Sequence, residues 1–296
     1  MHKTKLLCEY WDDAKKIIQA RKDKGEPEYP TGLQSLDSLT GGFHPGEIWI
    51  IAGKTGSGKT SMALNLARSF ADNPSHSILF LSLEMKGWQL ALRMYSDMMR
   101  ENCSDLEQGR IDIDPQKNLT FEQFIRAMDY EIVEYGYTWP EVLKIFDDLY
   151  KHKKPDIIFL DFMQLIEIPN QKDERMAIQE YIRKIKEYAN RYSLGFVIVS
   201  QIRRLPSGAD YNRPPDIIDL MGSGSLEQTA DKILLIYKTI EEGGVVKHFV
   251  NLAKNRQGRT ATSEIRFVGE QYRFEYIPMV IYGDDDRDRK IRGEAK

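Results

Sequence analysis

Short uninterrupted apolar runs alternate with stretches of helical period along most of this chain. Residues 47–52 (EIWIIA), 77–83 (SILFLSL), 156–161 (DIIFLD), 195–200 (GFVIVS) and 232–237 (KILLIY) are apolar at successive positions, as strands buried on both faces must be. A helix beginning at Lys59 places Leu64, Ala67 and Phe70 on one face. Another over residues 175–192 aligns Ile178, Ile182, Ile185, Ala189 and Tyr192. Such strands, separated by helices, predict an α/β fold with a mostly parallel sheet. Residues 246–274 alternate more weakly and predict antiparallel strands closing a sheet edge, with a turn at Gln257 and Gly258. Near the start, Leu6, Leu7, Tyr10, Ala14, Ile17 and Ile18 recur three and four apart in one amphipathic helix, ended by Gly25, Pro27 and Pro30. A single helix cannot bury its own stripe, so either the core of the same chain or a neighbouring subunit must cover it. The expected organisation is an arm over residues 1–29, one α/β domain over 30–280 and a charged tail over 281–296, with no internal repeat.

Composition changes this picture only by exclusion. With 296 residues, 41% hydrophobic and 29% charged, the chain is long enough for a sizeable core and unlike disordered or low-complexity sequences. Lys and Arg number 42 against 45 Asp and Glu, a net charge of −3. That excludes a basic blanket over the whole surface but leaves room for a local basic channel. The two cysteines, Cys8 and Cys103, cannot build a disulfide framework and point to a reducing compartment. The first residues carry no apolar signal-peptide core, and no run approaches the roughly 18 apolar residues of a membrane span. A soluble intracellular protein with no membrane partner is expected.

The candidate chemistry begins at Gly53-Lys54-Thr55-Gly56-Ser57-Gly58-Lys59-Thr60, which matches G-x-x-x-x-G-K-[ST] between a predicted strand and a predicted helix. Glycines let successive N–H groups point inward at phosphates, and the helix N-terminus adds positive potential. Lys59 would reach the β- and γ-phosphates, and the Thr60 hydroxyl would ligate Mg²⁺. Asp161 closes the DIIFLD strand, the edge at which α/β sheets bind ligands, and is the expected metal partner. Glu84, in SLEM, stands where an acid beside the phosphate loop could activate water. Gln201 ends the GFVIVS strand and could sense the γ-phosphate. These features alone indicate a nucleoside triphosphatase with Mg²⁺ and nothing narrower; ATP as the nucleotide comes only from the resemblance that follows.

Five segments in order, namely PTGLQSLDSLTGGFHPGEIWIIAGKTGSGKTSMALNLA, SLEM, LDFMQLI, VSQIRR and GSGSLEQTADKILLIY, make the chain resemble the ATPase domain of DnaB-family replicative DNA helicases from about Tyr29 to Phe274. SLEM and LDFMQLI carry more of that likeness than the phosphate loop, which recombinases of the RecA type share. The resemblance implies a RecA-like P-loop NTPase with helices on both sheet faces. It also implies a homo-oligomer, usually a hexameric ring, that encircles single-stranded DNA and moves 5′ to 3′ to unwind forked DNA. Glu84 then matches the catalytic base, and Asp161 and Gln201 match the family's strand-end residues. Lys254 and Arg256 match a Lys-x-Arg that enters the neighbour's ATP site, with the arginine as finger.

Two departures accompany the likeness. The family's DNA-contacting loop usually carries Arg-Glu where this chain has Met221 and Gly222. Main-chain N–H groups around Gly222, Ser223 and Gly224 could still hold a DNA phosphate. Arg203, Arg204 and Arg213, in the preceding Gly/Pro-rich segment, are the expected cations of a DNA channel. The family's N-terminal collar, which engages primase, has no counterpart here, and residues 1–24 resemble the linker helix that packs on the adjacent subunit. A compact form of this kind suits a bacterial cytoplasm, a phage or a mobile element, with a loader as a further partner. A filament-forming recombinase and a DNA-independent assembly ATPase are the competing readings. The second draws only on Met221 and the net charge.

Overall fold

The computed structural model describes residues 6–25, 27–134, 138–152, 154–163, 166, 174–203, 213–220, 223–241 and 243–282. The chain runs α1 (Leu7–Lys24), α2 (Gln34–Thr40), β1 (Ile48–Gly53), α3 (Lys59–Ala71), β2 (Ser77–Ser82), α4 (Gly87–Met99), α5 (Cys103–Glu107), α6 (Pro115–Ala127) and β3 (Asp129–Glu134). It continues through α7 (Trp139–His152), β4 (Ile157–Asp161), α8 (Glu174–Tyr192), β5 (Gly195–Gln201), α9 (Ser223–Thr229) and β6 (Lys232–Ile240), then β7 (Val246–Asn255), β8 (Ala261–Val268) and β9 (Arg273–Tyr282). The charged tail expected from residue 283 onward lies outside the described residues.

The strands form one sheet in the order β3-β2-β4-β5-β1-β6-β7-β8-β9. From β3 to β6 every pairing is parallel, and β7, β8 and β9 extend the edge antiparallel. Because side chains alternate across a strand, each continuous apolar run supplies two cores. Trp49, Ile51, Phe80, Phe159, Val197 and Leu234 face α3, where Leu66, Ala67 and Phe70 meet them. Ile48, Ile50, Leu79, Leu81, Ile158 and Ile198 face α7 and α8, meeting Phe146, Ile178, Ile182 and Ile185. Both faces are therefore covered by helices, as a buried parallel sheet requires.

The antiparallel edge and its turn at Arg256–Gly258 match the sequence expectation, although β9 continues to Tyr282 rather than ending near Phe274. The segment between β2 and β4 holds more than the apolar runs announced: α4, α5, α6, β3 and α7. At the amino end, α1 leaves Leu7 85% and Trp11 58% exposed, along with Tyr10, Ile17 and Ile18. Its stripe is thus not covered by the chain's own core. No described helix is long and apolar enough to cross a membrane.

Candidate nucleotide site

In the sheet, β2, β4, β5 and β1 are consecutive neighbours, and their C-terminal ends converge on one cavity of about 300 Å³. The four features picked from four separate apolar runs therefore meet. Gly56, Lys59, Thr60, Glu84, Asp161 and Gln201 all line it. The loop after β1 is built for close approach. A Cβ on Gly53 would stand 2.4 Å from the Ile236 carbonyl oxygen, and one on Gly58, at φ +93°, would stand 2.8 Å from the Phe274 ring. Only glycine fits either place. From Gly58 the chain enters α3 directly, so the first helical residue is Lys59. Its buried ammonium donates to the Lys54 carbonyl at 2.9 Å across the loop. Burial pushes the Lys59 amine down, while Asp161 and Glu84 pull it back.

Asp161 ends β4 at 1% exposure, and neither carboxylate oxygen has a hydrogen-bond partner among the described residues. Burial raises its pKa to about 6, with the Glu84 charge adding to the rise. The Thr60 hydroxyl, Lys59 and Arg93 lower it in part, yet no donor completes a hydrogen bond to it. The Ser57 hydroxyl is likewise buried without a partner. Two orphaned carboxylate oxygens beside a threonine hydroxyl are a hard-oxygen donor set, which fits Mg²⁺ bound through one carboxylate and the phosphates of a nucleotide.

Glu84 departs in detail from the sequence expectation. Its strand ends at Ser82, and two other strands separate β2 from β1. The glutamate instead rides a turn in which the Ser82 hydroxyl donates to the Met85 carbonyl at 2.6 Å and accepts from the Met85 N–H at 3.2 Å. The Leu83 N–H adds a bond to the Asp161 carbonyl at 2.8 Å. That turn carries the exposed Glu84 side chain back over the cavity.

Arg93 and Tyr272 also line the cavity, with the guanidinium 4.1 Å from the ring centroid, and sequence reasoning missed both. Arg93 lies on the first long helix after Glu84, and Tyr272 in the bend before β9. No local pattern marks either one.

Lys254 and Arg256 lie elsewhere. Gly53 stands beside Ile236 in β6, whereas the Lys254 end of β7 pairs with the start of β6, with Asn255 opposite Lys232. Four residues of strand, about 13 Å, separate these levels. Arg256 forms an ion pair with Asp231 at 3.0 Å and donates to the Gln228 carbonyl at 2.9 Å. The pair therefore sits at the opposite end of the parallel strands from its own phosphate loop.

Of the expected DNA contacts, Arg204 and Gly222 lie outside the described residues, as does Met221. Arg203 is exposed after β5, and Gly224 is exposed in the first turn of α9, which begins at Ser223. Arg213 is bound to Asp219 through two hydrogen bonds of 2.6 and 2.8 Å rather than standing free in a loop. Burial raises the Asp219 carboxyl, but the Arg213 bonds, the Asp216 N–H and the Arg213 and Lys54 charges together outweigh it and hold it below the ordinary range.

Comparison with known proteins agrees with this fold. A solved structure described as an ATPase domain superposes with a TM-score of 0.77, covering 90% of this chain and 98% of that one at 24% identity, which shows the shared fold. A DnaB-like replicative helicase, described together with its interactions with primase, gives a TM-score of 0.74 at 25% identity, over 84% of this chain and 63% of that one. Replicative DNA helicase DnaB of Helicobacter pylori is 29% identical over 96% of this chain and 67% of its own length. Its counterpart from Buchnera aphidicola subsp. Schizaphis graminum is 30% identical over 83% of this chain and 54% of its own length. The chain thus spans between about half and two thirds of these relatives. A sequence profile described as the DnaB-like helicase C terminal domain matches residues 29–276, and on that match over most of its length the chain belongs to the DnaB-like helicase C-terminal domain family.

Proposed function

We propose that this chain is the motor of an ATP-driven DNA helicase whose catalytic sites form between adjacent subunits of a ring. The observation that carries the proposal is the split of the expected chemistry. Phosphate loop, Asp161, Glu84 and Gln201 share one cavity, while Arg256 and Lys254 occupy the far end of the same strands. A guanidinium placed there serves a phosphate only if the phosphate belongs to another subunit.

Within the cavity, loop N–H groups and Lys59 bind the β- and γ-phosphates. Asp161 and Thr60 hold Mg²⁺, which when bound supplies positive charge against the phosphate oxygens. Glu84 orients the attacking water and accepts its proton. Gln201 contacts the γ-phosphate from β5 and links it to the segment that follows. The stacked Arg93 and Tyr272 offer a flat surface to the nucleotide base. Arg256 and Lys254 of the next subunit neutralise charge as the bond to the γ-phosphate breaks. Turnover is thereby tied to the interface, and the exposed stripe of α1 is suited to hold neighbours together.

Single-stranded DNA would pass beside Arg203, Arg204 and the start of α9, held through its phosphates without regard to sequence. Movement 5′ to 3′, assembly as a hexamer, assistance by a loader and a cytoplasmic setting are the family's properties carried to this chain. The test is strand displacement on forked DNA bearing a 5′ tail, a 3′ tail or both, with Lys59→Ala as blank. Unwinding that needs both ATP and the 5′ tail is expected. ATP turnover indifferent to added DNA would overturn the proposal in favour of an assembly ATPase.

A further inference from the structure

Asp231, the residue immediately before β6, has no part in the nucleotide cavity, yet it is among the most heavily committed carboxylates in the structure. It is 8% exposed. Its Oδ2 accepts the Ile48 N–H at 2.9 Å, at the first residue of the strand that leads to the phosphate loop. Its Oδ1 stands 3.0 Å from Nη1 of Arg256. Main-chain bonds lock the same residue on both sides: its N–H donates to the Ile48 carbonyl at 2.8 Å, and its carbonyl accepts from the Arg256 N–H at 2.9 Å.

Other groups complete the clamp. Nη2 of Arg256 donates to the Gln228 carbonyl at 2.9 Å, and Nζ of Lys254 donates to the Glu227 carbonyl. Both acceptors belong to the last turn of α9, where carbonyls lack helical partners and attract cations. Lys186 of α8 adds a third cation, 3.6 Å from Asp231 Oδ2. Burial and the Arg256 charge push the Lys254 amine down, against which Asp231 and Glu227 act. Asp231 is the carboxylate common to Lys186, Lys254 and Arg256. Removing its charge would leave three cations repelling at short range.

We infer that Asp231 is a positioning residue which, with the last carbonyls of α9, orients Arg256 and Lys254 toward the γ-phosphate bound by the neighbouring subunit. The inference rests on the proposed action of Arg256 across the interface. Positioning, rather than sequestration, follows from counting donors. A guanidinium has five N–H groups in a rigid fork. The Gln228 bond engages one on Nη2 and the ion pair with Asp231 sets Nη1 against the carboxylate, which leaves further N–H groups to present, and 44% of the Arg256 side chain is exposed. Lys254 likewise keeps donors beyond the one given to Glu227.

The test uses the assembled protein and the Asp231→Asn variant, which keeps an oxygen for the Ile48 N–H but removes the charge. Expected is a fall in kcat on the order of 10- to 100-fold, with KM for ATP and the mass of the assembly unchanged. Asp231→Glu, which restores charge at a longer reach, should recover part of the loss. Mixing separates positioning from a merely structural role. In a ring of Asp231→Asn and Glu84→Gln subunits, some interfaces pair an intact cavity on the first with an intact Arg256 on the second, so turnover should exceed the sum of the two parents. A parallel mixture of Arg256→Ala with Glu84→Gln is the control. Rescue in the control but not with Asp231→Asn would place the damage in that subunit's own cavity and overturn the inference. An unchanged kcat in Asp231→Asn would overturn it as well. No rescue in the control would instead refute action across the interface, and the inference would fall with it.

Discussion

Asp161 and Asp231 stand at opposite ends of the same parallel strands, both nearly buried, and their surroundings differ in kind. Asp231 has a backbone N–H, a guanidinium and a lysine around it. Asp161 has no hydrogen-bond partner on either carboxylate oxygen among the described residues. A buried carboxylate without partners is costly. It persists where a bound ligand completes it. A buried carboxylate fully engaged by protein groups does the reverse and fixes those groups in place. The one end is incomplete and receives; the other is complete and presents. On the proposed function, the two ends joined between two subunits make one site.

The largest expected effects come from breaking either half. Arg256→Ala should lower ATP turnover by about 10³- to 10⁵-fold, and Glu84→Gln by about 10²- to 10⁴-fold, while both still bind nucleotide. Steady-state turnover beside nucleotide binding measures this. Arg256→Ala with normal turnover would show that the far end of the sheet plays no part.

A smaller effect sharpens the contrast between the carboxylates. The folded value of Asp161, about 6, lies above its ordinary 3.8. The native state therefore holds that proton more firmly than the unfolded chain does. Stability falls as pH rises from about 4 through 6, and the whole cost is present above that window. Without nucleotide or Mg²⁺ at pH 7, Asp161→Asn should stabilise the protein by about 1–3 kcal/mol while abolishing Mg²⁺-dependent turnover. The gain should vanish near pH 4. Urea unfolding at both pH values measures it, and a less stable variant at pH 7 would mean that Asp161 is not waiting for a ligand.

Local features were readable in the sequence, and features made by tertiary contact were not. Gly53–Thr60 and the strand ends at Asp161 and Gln201 could be placed because an apolar run followed by a polar residue marks a buried strand and its tip. β3 was invisible, since DYEIVE is an edge strand with acids along it and no apolar run. The neighbours of β1 could not be read either, because strand order depends on crossovers rather than on residues. Arg93 and Tyr272 meet only through the packing of α4 against the bend before β9. The engagement of Arg213 by Asp219, six residues further on, is local instead, but it falls in a segment that composition alone marks as a loop.

That a catalytic site requires two copies of the chain is tested most directly by ATP turnover per chain as the wild-type protein is diluted through its dissociation, with mass followed by light scattering. Activity per chain should fall in step with the loss of assembled protein, and separated chains should still bind ATP but turn it over very slowly. Dissociated chains hydrolysing ATP at the rate of the assembly would contradict the account.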